Sequence, residues 1–401
     1  MINMIEGGVT APKGYKASGV ACGLKDEGIK DLAIVCSDDI AVAAGVFTKN
    51  IVKGHSLELS MKHIKNGYAK AVIVNSGNAN ACLGEQGTKN AEEMADLAAH
   101  LLGCQRENIL LGSTGVVGAS LNLPKVRGGI RTGISSLSAD GGHEAAQAII
   151  TTDLVVKEIA VDFEIQGERV RIGAMAKGSG MIHPNMATMI CTITTDANIS
   201  RGLLDRALKE IVAHTFNRIS VDGDTSVCDM VIMLANGEAD NEGIVNENVE
   251  YKHFKSALEF VCLNLSKMIA KDGEGATKLI EVIVNGASDE EDAHMVANAI
   301  AKSPLVKTAI FGEDANWGRI ITAAGYSGAK FDPKLIDISI GDLMVCRNGA
   351  ALGFDEALAK EILKKDEIEI RVDLKNGIVS DRIFTCDFSY DYIKINGDYR
   401  S

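Results

Sequence analysis

Short β-branched and aliphatic runs alternate along this chain with longer stretches in which apolar residues return every three or four positions, the pattern of mixed strands and amphipathic helices. Strand periodicity predicts elements at LAIVCS (32–37), AVIVNSG (71–77), NILLGSTG (108–115), RVRIGAMA (169–176), ATMICTITT (187–195), DMVIMLAN (229–236), KLIEVIVNGA (278–287), LVKTAIFG (305–312) and EIEIRVDL (367–374). Helical spacing predicts TKNAEEMADLAAHLLG, capped by Thr88 and stopped by Gly103, and ISRGLLDRALKEIVAHTF, opened by Ser200. Three further helices are read at YKHFKSALEFVCLNLSKMIAKDG, at SDEEDAHMVANAIAKS with acidic residues in its first turn, and at NWGRIITAAG. So many strands exclude a helix bundle.

The order of elements is mixed α/β (α+β) rather than a strict βαβ alternation. Paired central sheets covered by helices fit it, with antiparallel meanders expected at 160–195 and 366–396. A doubly wound parallel sheet fits less well. The terminal YIKINGDYRS is expected on or beyond a last strand. A chain of 401 residues exceeds one ordinary core, so two or three lobes or one large layered unit are expected.

Composition narrows the function. Hydrophobic residues make up 46% and aromatics only 4%, while the net charge is -13. Neither stacking surface nor basic footprint favours nucleic acid or an anionic membrane. No apolar run reaches spanning length and the start carries no basic leader, so a cytoplasmic protein is expected. The nine cysteines stand singly, without Cys-x-x-Cys, and most lie in apolar runs; they read as reduced, buried hydrophobes, and no metal site is expected.

Candidate chemistry centres on AKGSGMIHPNMATMICTITTDA (176–197). Gly178 and Gly180 begin a dinucleotide-like spacing, but His183 holds the third position, and Pro184 and a strand follow instead of a helix. A second reading makes Thr188 a nucleophile. A threonine hydroxyl needs a base beside it, and an N-terminal threonine brings its own α-amine, whose ordinary pKa of about 7.7–8.0 suits proton transfer near neutrality. Exposing that amine requires cutting the chain between Ala187 and Thr188, which Thr188 Oγ can start by attacking the Ala187 carbonyl. The segment alone fits equally a glycine turn feeding an ordinary strand.

Other blocks offer partners. GSTG places Thr114 and Gly115 at a strand end, where donors can meet an acyl oxyanion, although a plain turn has the same composition. VNSGNANACLG clusters Asn75, Asn78 and Asn80 around a turn, and SVDGDTS starts like a calcium loop without its later ligands. DGEGATK exposes Glu274 between glycines, and Lys177 precedes Thr188 by eleven residues. GEGATK precedes a strand, so it is no triphosphate cradle.

Together, VNSGNANAC, GSTGVVG, the TTD after AAQAII, AKGSGMIHPNMATM, SVDGDTS, DGEGATK, ANWGRI and INGDYRS resemble, in order, the blocks of the ornithine acetyltransferase (glutamate N-acetyltransferase, ArgJ) family. The resemblance implies self-cleavage into an α chain, 1–187, and a β chain, 188–401, that stay together as α2β2. It implies a two-lobed αββα sandwich of the DmpA/ArgJ-like type. It further implies transfer of acetyl from N2-acetyl-L-ornithine to L-glutamate through acetyl-Thr188, with Thr114 and Gly115 as the oxyanion pair. Thr151 (chosen over Thr152), Lys177, Thr188, Glu274, Asn396 and Ser401 match substrate-binding positions. No resident cofactor is implied; acetyl-coenzyme A as a second donor stays open. The competing expectations are a self-processing aminopeptidase of the same fold and an unprocessed amino-acid-binding protein.

Overall fold

The structure, a computed structural model, describes residues 1–183 and 189–398. Ala187, Thr188 and Ser401 therefore lie outside the described residues. The chain divides into two compact units. Among the described residues, the first comprises 1–183, 189–217 and 224–269, and the second comprises 218–223 and 270–398.

The first unit is built on a nine-stranded mixed sheet. From one edge the order is Asn3–Ile5, Lys157–Ile165, Glu168–Lys177, Ile190–Thr195, Met230–Ala235, Leu32–Phe47, Tyr68–Asn78 and Ile109–Val116, with Tyr15–Val20 paired to the first half of Leu32–Phe47. The expected meander is present: 157–165, 168–177 and 190–195 are antiparallel neighbours, with Ile190 opposite Lys177. Both faces of the sheet are apolar. Met94, Ala95 and Ala98 of the helix Glu85–Leu102 pack with Ile34, Ile73 and Ile109 on one face. Ala145, Ala148 and Ile149 of the helix Gly142–Ile149 pack with Val35, Val72 and Leu110 on the other. Small side chains bring helix backbones close to the sheet; a Cβ on Gly19 would fall 1.8 Å from the Glu144 carbonyl oxygen.

The second unit has a seven-stranded mixed sheet in the order Ala350–Ala351, Leu343–Arg347, Asp337–Ile340, Glu367–Asp373, Leu279–Ala287, Val379–Cys386 and Ile219–Ser220. Val296, Ala297 and Ile300 of the helix Glu290–Lys302 pack into its core with Ile320 and Ala323 of Trp317–Gly325. The helix Glu290–Lys302 is capped by Asp289, whose carboxylate accepts from the Asp292 amide. Mixed α/β architecture, with helices packed on mixed sheets, thus agrees with the periodicity.

Three local expectations need correction. LVKTAIFG is not a strand but lies in the helix Pro304–Phe311. Ser303 caps it, Pro304 supplies its first turn, and Val306, Lys307, Ala309 and Ile310 form its buried stripe, so the start signal outweighs β-branching. The helix expected from Thr88 begins one turn earlier, at Glu85 after Gly84, and Thr88 Oγ1 instead meets His55 Nδ1 at 3.3 Å. The region 366–396 is no meander: Leu279–Ala287 separates its two strands, parallel to 367–373 and antiparallel to 379–386. Asn396 lies beyond the last strand, as expected, on the helix Tyr390–Asp398, opened by Ser389 Oγ accepting from the Asp391 amide.

Candidate active site

Parallel pairing of Tyr68–Asn78 with Ile109–Val116 sets the VNSGNAN and GSTG blocks side by side, Ser76 opposite Thr114 and Gly77 opposite Gly115. The regular ladder breaks at Asn78, where the two backbones crowd. A Cβ on Gly115 would stand 2.4 Å from the Gly77 carbonyl carbon, and Gly115 also has φ +127, so only glycine fits here. The asparagines brace this approach. Asn75 Nδ2 donates to Asn78 O at 2.8 Å, Ser113 Oγ donates to Asn75 Oδ1 at 2.6 Å, and Asn78 Oδ1 accepts from the Asn80 amide at 2.8 Å. Their structural role, the turn weighed in the sequence, accounts for the cluster.

Lysine 25 connects this strand end to the next block. Gly77 approaches Leu24 and Lys25 so closely that its Cβ would meet Leu24 O at 3.1 Å and Lys25 Cγ at 3.2 Å. Lys25 Nζ donates to Ile150 O at 2.5 Å, just before Thr151. Burial pushes the Lys25 ammonium below its ordinary value, with Asp31 and Asp153 acting against burial and Lys177 adding to it.

Asp153, the acid of TTD, gathers the remaining groups. Its Oδ1 lies 2.7 Å from Lys157 Nζ and accepts from the Gly178 amide at 2.7 Å. Its Oδ2 accepts from the Thr151 amide at 3.0 Å and lies 3.9 Å from Lys177 Nζ. Burial disfavours the Asp153 anion, but Lys177, Lys157 and the Thr151 amide outweigh it and hold the carboxyl down at about 2. This carboxylate therefore fixes Thr151, Lys177 and the first residue of the glycine loop together. Lys177 itself is 6% exposed at the end of its strand.

The SVDGDTS block reaches the same loop, where Thr225 Oγ1 donates to His183 O at 3.0 Å. No group of three or more metal-ligating side chains occurs among the described residues. Cys228 packs under the asparagine turn with Sγ 3.6 Å from Ala79 O, and burial drives its thiol well above the usual range.

In the second unit, Glu274 is 7% exposed and its Oε2 accepts from Asn396 Nδ2 at 2.8 Å. The loop carrying it is tightly held, since Ser389 Oγ donates to Gly275 O at 2.5 Å and a Cβ on Gly275, which has φ +68, would meet the Tyr392 amide nitrogen at 2.4 Å. In the first unit Asp153 thus joins Thr151 to Lys177, while Lys25 runs from the Gly77–Gly115 strand end to Ile150; the second unit brings together Glu274 and Asn396.

The ArgJ family profile matches residues 16–401. The chain belongs to the ArgJ family. An arginine biosynthesis bifunctional protein ArgJ from Caldanaerobacter subterraneus subsp. tengcongensis is 50% identical over 404 aligned residues, covering 100% of both chains. Its namesake from Symbiobacterium thermophilum is 50% identical over 399, covering 99% of each. The crystal structure of ArgJ from Bacillus halodurans is similar at 49% identity and a TM-score of 0.50, over 97% of that chain and 52% of this one.

Sequence reasoning missed Lys25, Asp153 and Lys157 as partners of the candidate site residues. Asp153 lay inside a block already singled out, TTD, and a lone acid two residues after a candidate ligand was the signal available. Lys25 and Lys157 carried none, because their roles depend on which strands become neighbours.

Proposed function

We propose that this chain is an acetyltransferase of arginine biosynthesis that carries acetyl from N2-acetyl-L-ornithine to L-glutamate on Thr188, after cutting itself between Ala187 and Thr188. The observation that carries the reading is the Asp153 cluster. It presents Lys177, a cation for an α-carboxylate, from the residue directly opposite Ile190, two positions along the chain from Thr188.

In the first half-reaction Thr188 Oγ attacks the acetyl carbonyl while the α-amine of Thr188 takes its proton. Thr114 and Gly115 stabilise the oxyanion, the C–N bond breaks, and ornithine leaves with the proton. In the second, the glutamate amine attacks the acetyl ester and Thr188 Oγ regains its proton. Lys177 and Thr151 bind the backbone end shared by both substrates; Glu274, with Asn396, meets the cationic end of ornithine, and Ser401 completes the set. Acetyl sits on the protein, so no resident cofactor is needed. The relatives' description as bifunctional supports acetyl-coenzyme A as a second donor.

Cleavage would give α (1–187) and β (188–401) chains that stay joined, because the cut falls between two hydrogen-bonded neighbours, 168–177 and 190–195, and 230–235 pairs with 32–47. The matched Bacillus halodurans chain spans about half of this one, a proportion that either product would have. We place the enzyme in the cytoplasm as α2β2, acting on small molecules and on neither nucleic acid nor membrane; no described helix is long and apolar enough to cross a membrane.

Thr188→Ala tests the reading: it should migrate as one uncleaved chain without acetylornithine:glutamate exchange, while the parent gives two fragments and turnover. Turnover by the uncleaved variant would refute the acetyl-threonine route. Two fragments that hydrolyse peptides without exchange would favour the aminopeptidase, and a parent that remains whole and binds amino acids would favour the binding protein.

A further inference from the structure

Beneath the Glu274 loop, the second unit buries a charged assembly that the reaction does not use. Asp387, fully withdrawn from solvent, follows the strand Val379–Cys386. Its Oδ1 accepts from the amides of Thr277 and Lys278 at 2.8 and 2.9 Å, and its Oδ2 accepts from Thr277 Oγ1 at 2.5 Å. One carboxylate therefore collects three donors from the downstream end of the DGEGATK loop. That loop holds Glu274 three residues earlier and closes on itself through the Ala276 amide and Gly273 O at 2.8 Å.

Lys307 lies under the same segment, 1% exposed. Its ammonium donates to Thr385 Oγ1 at 2.8 Å and to Cys386 O, and it sits 4.4 Å from the centre of the Phe388 ring. Burial pushes the Lys307 ammonium below its ordinary value, with Cys386, Asp387 and Asp222 acting against burial. Phe388 stacks on Tyr392 at 4.6 Å, and Tyr392 packs on Gly275. Cys386 lies against the loop's other end, where a Cβ on Gly273 would come 2.8 Å from its Sγ. The loop is thus fastened at both ends by one buried segment, and Glu274 is its only carboxylate between the two glycines.

We propose that Asp387 is a positioning residue that sets the Glu274 carboxylate for reading the positive side-chain end of the acyl donor, and so governs donor discrimination by charge without touching the donor. This rests on the role given to Glu274 above. The physical reason is the stiffness of the loop. A carboxylate recognises an ammonium strongly only when its position is held against solvent by its surroundings, and three hydrogen bonds to one anion supply that hold.

The test compares kcat/KM for N2-acetyl-L-ornithine with that for N2-acetyl-L-norleucine, its neutral isostere, using the processed enzyme and glutamate as acceptor. Asp387→Ala and the milder Thr277→Val, which deletes one donor, should each lower the ornithine-to-norleucine preference, the first by about tenfold or more, with norleucine turnover nearly unchanged. General damage to the fold would lower both donors alike. Glu274→Gln serves as the reference. If it abolishes the preference while Asp387→Ala and Thr277→Val, folded and processed, retain it, the positioning role is overturned and the Glu274 reading survives. If Glu274→Gln itself retains the preference, both fall. Should Asp387→Ala fail to fold, a wild-type preference in Thr277→Val overturns the proposal.

Discussion

The Asp153 carboxylate stands 2.7 Å from the ammonium of Lys157, and both side chains are closed off from solvent. Removing the acid leaves a buried lysine facing a neutral group, so Asp153→Asn should destabilise the protein by about 3–5 kcal/mol. Asp153→Asn combined with Lys157→Met should recover part of that loss. Urea unfolding of the two single variants and the double variant provides the cycle; simple additivity would contradict a coupled pair.

The same pair makes stability depend on pH with a defined sign. An unfolded aspartate titrates near ~3.9, and the folded value is about 2. The contribution, roughly 2–3 kcal/mol, is complete above the unfolded value and disappears as pH falls through about 2. Unfolding free energy followed from pH 6 downward should show this loss in the parent, and Asp153→Asn should lack that part of the slope.

Gly115→Ala places a methyl where the Gly77 carbonyl carbon already stands, 2.4 Å away. The two strand ends must separate, and with them the proposed oxyanion pair of Thr114 and Gly115. We expect kcat to fall by about 10²–10³-fold, the usual cost of one oxyanion donor, with fragments still formed if cleavage relies on other donors. Unchanged kcat would separate Gly115 from the reaction.

Lys177→Met removes the cation proposed to meet a carboxylate common to both substrates. KM should rise about 10–100-fold for acetylornithine and for glutamate together, corresponding to a charge-assisted bond of about 1.5–3 kcal/mol. A rise for only one substrate would contradict a shared anchor.

Thiol chemistry should divide by burial. Cys82 is exposed, whereas Cys191, Cys228 and Cys262 are buried with thiols driven up by desolvation. Native protein treated with an aromatic disulfide at pH 8 should label Cys82 first and leave the other three silent until denaturant is added; peptide mapping checks the order.

The site was legible where chemistry is local. Glycines at 115 and 275 announced special backbone positions. Lys177 and Glu274 were only suggestive by themselves, and it was the resemblance of their blocks to the ArgJ family that named them. Lys25, Asp153 and Lys157 could not be assembled from spacing, since Lys25 reaches Ile150 and Asp153 reaches Gly178 only through strands that become neighbours after the chain has turned several times. The misread LVKTAIFG makes the complementary point. Val306 and Ile310 belong to strands and to helices alike, and Ser303 with Pro304 decided between them.

By itself the sequence determined the alternation of strands and helices, the aliphatic interior, the absence of a nucleic-acid footprint and the blocks that mark the ArgJ family. Those follow from side-chain periodicity and from chemistry within a few residues. Only the tertiary structure decided that one buried carboxylate serves Thr151, Lys177 and Gly178, that Gly115 presses on Gly77, and that Asp387 grips the loop of Glu274. Those pairings join parts of the chain that sheet topology brings together, and a carboxylate's charge state and reach depend on what burial places around it.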